Sequence, residues 1–159
     1  MKHAPTDRPV LFRQATFEDA EKVVALMEPD VRARKLLRRT AEEIAELTKH
    51  GFVAVADSQV VGFCAAEIYS RKMAEIQGLV VHSEFRTQGI GRTLVKMSVA
   101  RARELGVLEV MAITSSEDFL KGCGFDYALP DQKKAMFCQL RPRHEPEERE
   151  PEDQDAPPA

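Results

Sequence analysis

One stretch of this chain limits the fold more than any other. The apolar run Leu79-Val80-Val81-His82 leads into Arg86-Thr87-Gln88-Gly89-Ile90-Gly91, and a helical pattern follows at once. A strand, a glycine-bearing turn and a helix in that order bring backbone N–H groups together at a helix start. Gly89 and Gly91 let a ligand approach the backbone closely, and the helix end adds unpaired donors and a positive dipole end. Arg86 and Arg92 flank the turn with formal charge. The group that suits all of these is a pyrophosphate. The same glycines would serve a turn that merely starts a helix; the two arginines favour the anion. The turn is not a P-loop, because GxxxxGK[ST] is absent. It is not a dinucleotide fingerprint either, because the glycines do not form GxGxxG within an early βαβ unit.

The pattern around the turn predicts the remaining elements. A short apolar run begins at Val10 and ends at Arg13-Gln14. Thr16, with Asp19 at the capping-box position, opens a helix bearing Ala20, Val23, Val24 and Met27, which Pro29 is expected to end. A second helix starts at Thr40 with Glu43 three residues on, carries Ile44, Ala45 and Leu47, and is expected to stop at Gly51. From Phe52 the period becomes that of strands: 52–56, the tight connection Asp57-Ser58-Gln59, 60–69 and 74–81. The helix after the turn runs to about Leu105 and buries Leu94, Val95, Val99 and Ala102, with Gly106 as its stop. Then come a strand over 108–113, a short helix capped by Ser115 or Ser116 and ending at Gly122 or Gly124, and closing strands over 125–128 and 134–140. Adjacent hairpins plus a strand–helix–strand crossover imply an α/β fold, a mixed sheet with helices on both faces.

Charge divides the chain. From Pro142 to Ala159 seven acidic residues face Arg143 and Arg149, so the segment carries −5 of a total of −3, and it holds five prolines. Such a segment buries too little apolar surface to offset its ordering entropy, so 142–159 reads as a disordered acidic tail. Residues 1–9 read as a flexible N-terminus and 10–141 as one domain. The remaining +2 is too small to indicate nucleic acid. No run reaches the ~18 apolar residues of a membrane span, and MKHAPTDRPV has no apolar signal core. Cys64, Cys123 and Cys138 form no metal pattern or disulfide framework and read as reduced, mostly buried thiols of a cytoplasmic protein. No metal is expected.

Arg86-x-x-Gly89-x-Gly91 after Leu79-Val80-Val81-His82 resembles motif A of the GNAT N-acetyltransferases, and the helices, the hairpin and Phe119…Gly124-Phe125 fall in that family's order. The resemblance covers about residues 10–141. Leu36-Leu37-Arg38-Arg39-Thr40, residues 74–82 and residues 129–134 further resemble the acetyltransferase domain of N-acetylglutamate synthases, without the kinase-like domain those enzymes commonly carry. The resemblance implies a mostly antiparallel sheet of six to seven strands and acetyl-CoA as co-substrate. It places the pyrophosphate at Arg86, Thr87, Gln88, Gly89, Ile90, Gly91 and Arg92, and the pantetheine arm along Leu79, Val80 and Val81. A backbone N–H near Val80 would polarise the thioester carbonyl. Glu75 would be the general base, acting through water; on its residue type alone it would serve equally as a solvated strand residue or in a structural ion pair. Arg38, Arg39 and Lys72 would hold the acceptor's carboxylates, although the run Arg32, Arg34, Lys35, Arg38, Arg39 also reads as a solvated loop face.

The implied reaction is acetyl transfer to the amine of a small acceptor, an acidic amino acid such as L-glutamate, as in arginine biosynthesis. Another amine acceptor, or a non-catalytic acetyl-CoA-binding module, is the competing reading. A homodimer is compatible with the sequence. Leu120 stands where many family members carry a tyrosine as acid for the leaving thiolate. Cys123 has no histidine near it in sequence to activate it as a nucleophile.

Overall fold

The computed structural model describes residues 8–127 together with Met136, Cys138 and Leu140. The expected flexible start up to residue 7 and the acidic tail, 142–159, lie outside the described residues. Contacts divide the chain after Phe125, and all elements below belong to the unit that ends there.

Strand β1 (Leu11–Gln14) leads into a short 3-10 turn (Phe17–Asp19) and helix α1 (Ala20–Arg32). Asp19 accepts the Thr16 N–H at 2.8 Å, so the capping-box pair opens the 3-10 turn and α1 follows it. Pro29 does not end α1. It removes only its own N–H donor near the C-terminus, and its carbonyl still accepts from Ala33 N–H at 3.1 Å. Helix α2 (Ala41–Thr48) starts as expected: Thr40 N–H donates to Glu43 Oε2 at 2.8 Å and Glu43 N–H to Thr40 Oγ1 at 3.2 Å. Gly51 is not a left-handed stop. It is the first residue of β2 (Gly51–Ala56), and glycine is needed there because a Cβ would lie 2.9 Å from Phe63 Cε2 and 3.0 Å from Leu47 O.

Asp57 and Ser58, both at positive φ, make the two-residue turn into β3 (Gln59–Ile68), the geometry whose twist suits a hairpin. Strand β4 (Met73–Val81), helix α3 (Ile90–Glu104) and β5 (Glu109–Met111) form the crossover, and α4 (Glu117–Gly122) closes the unit. Gly106, at φ +75°, follows α3 as its stop. Ser116 occupies the N-cap position of α4 without a side-chain cap bond.

The sheet order is β1-β2-β3-β4-β5, antiparallel throughout except for the parallel pair β4–β5. The mixed sheet is as expected, but five strands stand among the described residues rather than six or seven. Residues 125–127 form no strand, because Phe125 N–H donates to Leu120 O at 3.0 Å and finishes the turn after α4. Most of the expected strand 134–140 lies outside the described residues. Helices cover both faces. Val23 and Met27 of α1 and Ile44 and Leu47 of α2 pack with Val53, Phe63 and Val80. On the other face Ile90, Leu94 and Val95 of α3 pack with Ala54, Val61, Cys64 and Ile76.

Two irregularities in β4 shape the site. Its partner β5 pairs only with Met73–Glu75, so beyond Glu75 the edge of β4 that faced β5 has no strand beside it among the described residues. This is also why the strand expected over 108–113 shortens to 109–111. On the β3 side, Phe63 pairs with Val80 but Ala65 with Gln77, so β4 carries one extra residue at 78–79. Gly78 takes φ +67°, and a Cβ there would lie 2.9 Å from Phe63 Cε1. Ile76 packs on the α3 side and Val80 on the α1/α2 side. A strand without a bulge would put both on one face.

Candidate active site

The bulge decides which backbone groups are available. His82 N–H donates to Val61 O at 2.8 Å, and Val80 is paired with Phe63, so these two residues direct their backbone groups at β3. Alternation then turns the groups of Leu79 and Val81 toward the open edge. Val81 O is found there, accepting from Arg86 Nε at 3.0 Å. Of the backbone N–H groups near Val80, the register turns Val80's own toward β3 and Leu79's toward the open edge.

At the end of β4 the turn is drawn tight. Thr87 sits at φ +67°, a conformation that is costly for a β-branched residue, and its hydroxyl donates to Arg86 O at 2.6 Å. Gly89, at φ +77°, is the N-cap of α3, and a Cβ on it would meet nothing within 4 Å. The first bond of the helix runs from Thr93 N–H to Gly89 O. The N–H groups of Ile90, Gly91 and Arg92 therefore have no partner within the helix. A Cβ on Gly91 would lie 3.4 Å from Phe119 Cζ and 3.6 Å from Val81 Cγ2, so this glycine marks where α3, β4 and α4 converge. Gly122 of α4 lies as close to Arg92, whose guanidinium would be 3.0 Å from a Cβ there. Together these groups fit the diphosphate and extended arm of a coenzyme A thioester: donors at a helix start, an open strand edge leading away, and a cation beside them. Arg86 has another task. Its guanidinium grips Asp30 at 2.9 and 3.0 Å and so ties the turn to the end of α1.

Glu75, Gln77 and the loop before α2 meet on the α1/α2 side of β4. Glu75 is 8% exposed. Its carboxylate accepts a short hydrogen bond from the Tyr69 hydroxyl, which also reaches Glu67 Oε2 at 3.2 Å. Tyr69 is half exposed as a residue, but desolvation around its hydroxyl, and then the Glu75 hydrogen bond, push the phenol up to about 12. Arg39 Nη2 donates to Gln77 Oε1 at 2.6 Å across 38 residues of sequence. Arg38 turns away and pairs with Glu28 at 3.0 Å. Of the two expected arginines, the fold brings one to β4. Lys72 stands exposed in the bend just before that strand. Tyr69 was missed in the sequence. It follows a strand as an isolated aromatic residue, and nothing local shows that its hydroxyl returns to Glu75.

Leu120 is buried and carries no proton to donate. Cys64 is fully buried, which pushes its thiol up to about 12, and burial raises the Cys123 thiol as well, opposite to an activated nucleophile. Cys138 is exposed, contrary to the expectation of mostly buried thiols. Among the described residues no helix is long and apolar enough to cross a membrane.

Residues 15–125 match the acetyltransferase (GNAT) family. An uncharacterized N-acetyltransferase of Chlorobaculum tepidum is 39% identical over 113 residues, 71% of this chain and 73% of that protein. The amino-acid acetyltransferase of Vibrio cholerae is 30% identical over 137 residues, 82% of this chain but only 31% of its own length. In fold, the chain is similar to N-acetylglutamate synthase from Neisseria gonorrhoeae, solved with coenzyme A and N-acetyl-glutamate. The TM-score is 0.69 at 23% identity, covering 80% of this chain and 31% of that one. The open edge of β4, the donor-rich start of α3 and this match over most of the folded unit lead to one conclusion: the chain belongs to the acetyltransferase (GNAT) family and is an acetyl-CoA-dependent N-acetyltransferase.

Proposed function

We propose that the acceptor is an amino acid, with acidic amino acids and L-glutamate first among them, and that its α-amine is acetylated by direct attack. The observation that carries this reading is the approach of Arg39 to Glu75 through Gln77 and Tyr69 on one face of β4. An amino acid needs a cation for its carboxylate and an acceptor for its amine proton, and the two sit at opposite ends of this short network. The likeness to amino-acid acetyltransferases supports the same class.

In this reading acetyl-CoA lies with its diphosphate at residues 86–92 and its arm along Leu79–Val81. Leu79 N–H points at the thioester oxygen, where negative charge grows during attack. Glu75 takes the amine proton through water. Attack forms the amide N–C bond and breaks the C–S bond, and the departing thiolate takes its proton from solvent. No acid is required of Leu120, because a thiolate is a tolerable leaving group near neutral pH. Cys123 is not used, since direct transfer needs no acyl-enzyme.

The Arg38–Glu28 pair favours a second acceptor class, amino acids with a single carboxylate, because Arg39 is then the arginine directed at the site. CoA release from acetyl-CoA across a panel of amino acids and simple amines separates the classes. Preference for L-glutamate supports the first and preference for a monocarboxylate amino acid the second. Preference for a carboxylate-free amine overturns both.

A further inference from the structure

Glu67 of β3 and Glu75 of β4 stand directly opposite each other in the ladder. Like charges in that position repel, and Arg39 reaches this pair only through Gln77. The third strand at this position, β5, contributes Met111, which has no charge. Lys72, in the bend just before β4, is exposed. What touches both carboxylates is the Tyr69 hydroxyl, with its short bond to Glu75 and 3.2 Å to Glu67.

We infer that Tyr69 is a positioning residue for the proton-accepting step: its O–H fixes one oxygen of Glu75 and separates that carboxylate from Glu67. The inference rests on the reading of Glu75 as the base. The hydrogen bonds run in one direction. Arg39 donates to Gln77 Oε1 at 2.6 Å, Gln77 Nε2 donates to the Tyr69 oxygen at 3.5 Å, and Tyr69 donates to Glu75 Oε2. Donors aligned head to tail strengthen one another, so the cation that would meet the acceptor carboxylate also strengthens the donor on the base. A phenol that ionises only at about 12 remains a donor across the working pH range.

The test uses Tyr69→Phe, which keeps the ring and removes the donor. With the fastest acceptor of the panel, the acid limb of the kcat/KM profile should move to higher pH by about one unit, since the carboxylate form loses a hydrogen bond and faces Glu67 unshielded. KM for acetyl-CoA should not change. Adding Glu67→Gln should return the limb toward its original position, which a loss of packing alone would not do. A second readout needs no turnover. The chain has two tyrosines and no tryptophan, so in a Tyr127→Phe background the tyrosinate absorbance reports Tyr69 alone. Its midpoint should fall toward the ordinary phenol range when Glu75 becomes Gln. An unmoved acid limb, or an unmoved midpoint, overturns the role of Tyr69. Full turnover in Glu75→Gln instead removes the base on which it rests, so the two failures are distinguishable.

Discussion

Two acidic residues are buried to a similar degree in this domain, and they meet different partners. Asp19, 2% exposed, is gripped by Arg13 at 2.7 and 2.9 Å and also accepts from Thr16 N–H. Glu75, 8% exposed, meets a phenol and a facing glutamate. A buried carboxylate matched with a guanidinium and a backbone donor is a joint: it ties β1 to the start of α1, and ionisation there is settled. A buried carboxylate held by a neutral donor beside a like charge has no cation fixed on it, and that is the setting in which the proposed base stands. Burial alone therefore does not characterise a buried acid. The nature of its partner does.

Glu75→Gln breaks the comparison on the functional side. Turnover should fall about 10²–10⁴-fold, the usual range for a lost general base, while the melting temperature stays near that of the parent protein. Raising the pH should partly restore the rate, because more of the acceptor arrives deprotonated. On the structural side the counterpart is Arg13→Ala. It leaves the Asp19 carboxylate with the Thr16 donors alone and, because Arg13 is itself partly exposed, should cost about 1–3 kcal/mol of unfolding free energy in a denaturant titration, with acetyl-CoA affinity of the folded fraction unchanged.

Acid titration sharpens the same contrast. The Arg13 hydrogen bonds hold Asp19 at about 2, below its ordinary value of 3.8. A depressed carboxylate contributes stability above its unfolded pKa and loses it as pH falls through the folded one. The stability difference between the parent protein and Asp19→Asn should thus be constant above about pH 4 and shrink between there and about pH 2. A difference that keeps growing below pH 4 would contradict the ion-pair account.

Smaller effects probe the two ends of the cleft. Gly89→Glu places a strained residue and a negative charge at the α3 start. It should weaken acetyl-CoA by at least about tenfold, 1.4 kcal/mol, in a binding titration. Unchanged affinity in a folded variant would place the diphosphate elsewhere. Arg39→Ala should raise KM for a carboxylate-bearing acceptor several-fold more than Arg38→Ala does, because Arg38 is held by Glu28. Equal effects would return both arginines to the solvated loop.

Much of this was legible in the chain. The caps at Thr16 and Thr40, the hairpin at 57–58, the Gly89 turn and the stop at Gly106 are local devices, each written in a few adjacent residues. Glu75 was singled out only by the resemblance, since a lone carboxylate in a strand says nothing by itself about its role. Tertiary structure decided the rest. Whether Leu79 or Val80 offers its N–H depends on the phase of the strand after one extra residue at 78–79, and that phase is set by pairing with β3 and by the Phe63 ring against Gly78. Which arginine reaches β4 depends on Gln77 lying 38 residues away. The Tyr69 contact depends on where the chain turns between β3 and β4. Caps and turns are short-range hydrogen bonds that a few residues close by themselves. Strand phase and cross-strand partners are fixed only when distant segments pack, so no local stretch of the sequence contains them.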